Sequence, residues 1–129
     1  MSMPIFPDPE TMLLQILAPQ NPSMRFVTIM PSGDPTKITV RIRRTGGTNV
    51  HIGLDRPIVD IDVFGLKSQV GTVSAAARDI QSQILALMSA TAPNGVIQHV
   101  STMVGPRQLP EVNPKLVRYS ATYELQTHP

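Results

Sequence analysis

Two hydrophobic periods run through this chain. Over residues 37–43 the apolar Ile38, Val40 and Ile42 alternate with Thr39, Arg41 and Arg43. The same alternation returns over 57–64, with Val59, Ile61 and Val63 on one side and Ile58, Asp60, Asp62 and Phe64 on the other, before Gly65 ends it. It is most regular over 115–127: Val117, Tyr119, Ala121, Tyr123 and Leu125 are set against Arg118, Ser120, Thr122, Glu124 and Gln126. Side chains two apart on a strand share a face, so these three segments predict strands with one buried face. Phe26–Met30 and Val96–Val104 are β-rich and predict two more.

The second period is helical. Met12, Leu13, Ile16 and Leu17 recur at three-to-four spacing and predict a short helix over about 8 to 18. Asp8-Pro9-Glu10 starts it with a capping carboxylate, a proline suited to the first helical position and an acid at the positive end. Pro19 and Pro22 stop it. Val73, Ala76, Ala77, Ile80, Ile84, Leu87 and Met88 predict a longer helix over roughly 72 to 91, capped by Ser68 or Thr72 and ended by Asn94-Gly95. Its three consecutive alanines, 75–77, allow close approach to a sheet.

The predicted order is helix, three strands, long helix, two strands. That is an α+β fold, a single mixed or antiparallel sheet of about five strands with the short N-terminal helix and the long central helix packed on it. A length of 129 residues suits one domain, residues 1–129, with an N-terminal arm and short helix over 1–23. Proline is unusual: 13 residues, about twice its average share. The prolines cluster in PSGDPT and in GPRQLPEVNP (105–114), which reads as an ordered extended loop or a β-excursion. TGGTN at 45–49 reads as a two-glycine turn, within a loop over 44–56.

There are no cysteines, which excludes disulfides and thiolate metal sites and fits assembly in a reducing cytoplasm. MSMPIFPDPE has neither the basic nor the apolar region of a secretory leader. The apolar stretches fall short of the roughly 20 residues that a membrane span needs. Net charge is +2 and mean hydropathy +0.01, too balanced to argue for nucleic-acid binding from charge alone.

Candidate chemistry narrows quickly. Asp60 and Asp62 lie two apart on a strand and point the same way, so a divalent cation could bridge them, but a hard-cation site needs more oxygen ligands than two. If 37–43 and 57–64 pair antiparallel, Arg41 and Arg43 stand against Asp60 and Asp62, a cross-strand charge ladder. Pairing to a neighbouring subunit and a solvated face are the other readings. Lys37, Arg41, Arg43 and Arg44 form a basic run that could meet phosphates, yet aromatics are only 4% of the chain and none alternates with the arginines to stack a base. His51, His99 and His128 lack any ligand spacing, and no serine sits in a nucleophile motif. TGGTN opens no helix, so it is no phosphate cradle. The residues predict no enzyme and no cofactor.

Together, "RPIVDIDVFG", "TVSAAARDIQSQILAL" and "GPRQLPEVNPKLVRYSATYEL", in this order behind an Arg-bearing strand and TGG, resemble the tail terminator (tail-completion) proteins of bacteriophages with long non-contractile tails (siphophages), in particular those of actinobacteria. The likeness covers about 24 to 127 and is strongest in P-x-V-D-I-D-V-F-G and R-Y-x-A-x-Y-E-L. It implies a virion protein at the head–tail junction, made in the host cytoplasm. Such a protein forms a ring, typically hexameric, that caps the tail tube and meets a head-closure or connector protein. DNA crosses the lumen without sequence readout, and no membrane is involved. The family has no catalytic residues to carry over. Arg41, Arg43, Arg44, Asp60, Asp62, Arg107 and Glu111 are then candidates for a subunit interface or the lumen. Another neck ring and a free nucleic-acid-binding module are the rival readings.

Overall fold

The structure, a computed structural model, describes residues 6–33, 35–51 and 53–129. Residues 1–5 of the expected arm, Asp34 of the expected PSGDPT turn and Ile52 of the expected loop lie outside the described residues. The elements are α1 (Pro9–Gln20), β1 (Arg25–Val27), β2 (Thr39–His51), β3 (Leu54–Leu66), α2 (Val70–Leu85), β4 (Ala90–Ala92), β5 (Gly95–Leu109) and β6 (Leu116–His128). Six strands form one sheet in the order β1-β2-β3-β6-β5-β4. β1 runs parallel to β2 and every other neighbour is antiparallel, so the sheet is mixed.

The predicted class holds, with one strand more than the five expected. β4 occupies Ala90–Ala92, where the long helix was expected to continue. α2 stops at Leu85, and Ser89 takes a positive φ of 64° that carries the chain out of the helix. Asn94-Gly95 therefore turns a β-hairpin, with Ala92 opposite Gly95. Leu87 stays buried past the helix end, whereas Met88, expected inside, is 56% exposed. Neither Ser68 nor Thr72 caps α2. The chain enters through a 3-10 turn, Lys67–Gln69, where the Gln69 Oε1 accepts from the Leu66 amide at 3.1 Å.

At the other helix, Asp8 caps as expected, accepting from the Glu10 amide at 3.1 Å. Pro19 does not stop α1; it sits in the last turn, and the stop is Asn21, whose side chain donates to the Leu17 carbonyl at 2.8 Å. Asn21 also exchanges two amide hydrogen bonds with Gln83, at 2.7 and 3.0 Å, tying α1 to α2.

The segment expected as a loop at 44–56 is instead the far half of a long β2–β3 hairpin. Thr45 is an extra residue between Arg44 and Gly46, a β-bulge. Gly47 there has φ 113°, and a Cβ on it would collide with the Arg56 carbonyl oxygen and lie 2.6 Å from the Pro57 Cα. Pro57, inside a central strand and lacking an N–H, pairs with Gly47 beside this bulge. The Pro-rich segment follows its second reading: β5 runs on through Pro106 to Leu109, with register shifts at Thr102/Val104 and Val104/Arg107.

Both helices lie on one face. Val40, Ile42, Val59, Ile61, Val63, Val117, Ala121, Tyr123 and Leu125 of that face join Met12, Leu13 and Leu17 of α1 and Val73, Ala76, Ala77, Ile80 and Ile84 of α2 in one apolar cluster. Full burial of each large aliphatic side chain contributes about 1.5–3 kcal/mol. Gly65 and the alanines set the spacing: a Cβ on Gly65 would come within 2.5 Å of Val73 Cγ2.

Candidate functional site

β2 and β3 pair so that Arg41 stands opposite Asp62 and Arg43 opposite Asp60, on the face away from the helices. Strict alternation on both strands puts all four side chains there, and the antiparallel register aligns them. The Arg41 Nε and Nη2 both donate to Asp62 Oδ2, at 3.1 and 2.7 Å. Arg43 Nη2 lies 3.6 Å from the same oxygen and 4.0 Å from Asp60 Oδ2. From β6, the Thr122 hydroxyl donates to Asp60 Oδ1 at 2.7 Å. Arg41 also lies over the Phe64 ring, 5.2 Å from its centroid. Asp62 is 1% exposed, so its charge is held by two guanidinium groups rather than by water.

Arg44 does not join this ladder. By unbroken alternation with Val40 and Ile42, Arg44 pairs with Val59 and belongs to the helix face. Its Nη1 donates to Asp55 Oδ2 at 3.1 Å, its Nε to the Gly46 carbonyl at 3.1 Å, and its backbone amide to Glu10 Oε2 of α1 at 2.8 Å. Asp55, 4% exposed, was not singled out from the sequence. The signal was available: stepping back by two from Val59 reaches Pro57 and Asp55, the buried half of the β3 alternation.

Arg107 lies on β5 opposite Ser120, so the row across the polar face runs Arg41, Asp62, Ser120, Arg107. Arg56 and Arg118 share that face, and Arg56 Nε lies 3.9 Å from Glu124 Oε1. Glu111 is elsewhere. It sits past the end of β5 and accepts from the amides of Val112 and Asn113 at 2.9 and 3.4 Å, closing a local turn.

On the helix face, Tyr123 is 1% exposed, and burial pushes its hydroxyl pKa up to about 12. Among the described residues no pocket opens and no three His, Cys, Asp or Glu side chains gather as metal ligands. No described helix is long and apolar enough to cross a membrane. The site is thus a surface of paired charges across three strands, suited to contact rather than to enclosing a small molecule.

No protein-family model matches the chain, and no curated protein matches its sequence. Solved structures do match its fold. One is a chain of the virion of a native gene transfer agent particle, with a TM-score of 0.65 and 14% identity over 94% of this chain and 95% of that one. A second has a TM-score of 0.53 and 9% identity, over 92% and 94%. At these identities the likeness is one of fold, and it spans both partners end to end.

Proposed function

We propose that this chain is a structural protein of a phage-like virion, and specifically a tail terminator. Copies form a ring, hexameric as the family resemblance implies, that caps the tail tube and meets the head-closure or connector protein. DNA passes through the hole without sequence readout, and the chain performs no reaction. The observation that carries this reading is the end-to-end fold likeness to a component of a gene transfer agent virion, whose matched chain is of nearly the same extent. The sequence resemblance points to the same class from independent features.

The polar face supports a DNA-facing role in physical terms. Three of its arginines, Arg41, Arg43 and Arg56, stand beside carboxylates, so a passing duplex meets a partly neutralised surface rather than one that grips phosphates. The test is the mass of the purified protein, alone and mixed with its tail-tube protein. A ring in either sample is expected; a monomer in both overturns the reading. Locating the protein in a virion reconstruction separates a terminator, seated directly on the tube, from another neck ring.

A further inference from the structure

Each end of the sheet is guarded by a strand of only three residues. β1 covers β2 at 39–41 and no further, and β4 covers β5 at 95–97 and no further. Among the described residues, 42–51 of β2 and 98–109 of β5 are therefore lateral edges without a strand beside them. Such edges present free amides and carbonyls, a template for another strand. The described group that reaches in is Glu10, at the Arg44 amide. Both edges also leave apolar side chains in water: Val50 on β2, and Met103 and Val104 on β5, are 44%, 52% and 40% exposed.

The two edges fit each other. Alternation across β2, β3, β6 and β5 makes β2 and β5 run in opposite directions. A second copy rotated into place beside the first thus brings its β5 antiparallel to the first copy's β2. The free lengths are similar, and β5 carries its surplus residues in bulges.

We propose that copies of this chain join edge to edge, residues 42–51 of one pairing antiparallel with residues 98–109 of the next. This deepens the ring reading and rests on it. The three-residue strands set the register. β1 lies at the level of Leu109, since Thr39, Phe64, Arg118 and Leu109 form one row; β4 lies at the hairpin end, where Asn49, Asp55, Thr127 and Ile97 form another. Copies at one level would place both short strands in the seam. Sliding the second copy four residues, roughly 13 Å, toward the hairpin end clears both, keeps the two faces of the sheet continuous and sets Leu109 opposite Arg43. Closing a sheet on itself requires a stagger of this kind. The helices then lie outside the closed wall, and the face bearing Arg41, Arg43, Arg56, Arg107 and Arg118 lines the hole.

The cysteine-free sequence makes the seam testable. In this register Thr48 of one copy lies opposite Val104 of the next, both on the polar face. Within a single chain β3 and β6 separate those positions by three strand spacings, about 14 Å. A disulfide tolerates at most about 7 Å between Cα atoms, so only neighbouring copies can be joined. The double variant Thr48→Cys/Val104→Cys, oxidised at high concentration with and without tail-tube protein, is expected to give a ladder of covalent oligomers on a non-reducing gel, ending in a closed species. Either single variant stops at a dimer. Oligomers by mass without a ladder at this pair, or at Thr48→Cys/Ser101→Cys and Thr48→Cys/Arg107→Cys, overturn the seam while leaving the ring. A chain that is monomeric in both samples overturns both.

Discussion

β3 buries two carboxylates on opposite sides of the same hairpin, and they are held differently. Asp62, on the open face, takes two hydrogen bonds from Arg41 and has Arg43 3.6 Å away. Asp55, on the helix face near the hairpin end, has Arg44 at 3.1 Å as its charged partner among the described residues. Burying a carboxylate is tolerated only when its charge is compensated. At Asp62 the compensation is shared and redundant; at Asp55 it depends on one arginine whose position is set by a bulge and by Glu10. Similar burial therefore carries different sensitivity.

The sharpest break of this contrast is Arg44→Ala, which strands the Asp55 charge and is expected to destabilise by about 3 kcal/mol in chemical denaturation. A smaller effect tests how well the helix face is sealed. Tyr123 keeps its proton to about pH 12 when folded, while an unfolded tyrosine loses it near 10. The folded state thus binds more protons between these values, and stability is present below about pH 10 and falls as pH rises toward 12, by about 2–3 kcal/mol from this group. Tyr123→Phe is expected to remove that part of the alkaline loss in denaturation curves measured at pH 9 to 11.5. Arg41→Ala leaves Arg43 in place beside Asp62, so about 2 kcal/mol is expected, less than for Arg44→Ala. Arg43, 45% exposed, contributes least: Arg43→Ala is expected to cost below about 1 kcal/mol and to change little with added salt. A cost for Arg43→Ala equal to that for Arg41→Ala would make the two arginines equivalent and remove the redundancy argument.

The ladder was legible because Arg41, Arg43, Asp60 and Asp62 sit in unbroken alternation, and matching the apolar faces fixes which residues meet. Arg44 and Asp55 were not paired in advance because Gly46-Gly47 read as a turn in a loop over 44–56. That reading cut the strands short of the alternation that puts Arg44 on the face of Val40 and Ile42, and Asp55 on that of Val59. α2 was drawn too long because Leu87 continues the helical stripe by position while belonging to the turn after it, and Ala90–Ala92 is too short to show any period. Pro106 argued for a loop, yet beyond β4 no described strand flanks β5, and a proline is tolerated where a strand's donor has no ladder to join. The resemblance pointed to a virion ring; none of the candidate residues distinguished the two ends of the sheet.

Gly47 carries a consequence for any attempt to vary this protein. Every side chain there would meet both an unfavourable φ and the backbone of Arg56 and Pro57. Losing the glycine would press the two arms of the hairpin apart just beyond the last residues packed under the helices. Substitution tolerance should therefore drop at this one position, in an otherwise exposed stretch, as sharply as it does in the core. A saturation scan would register it as an isolated dip with no buried side chain to account for it.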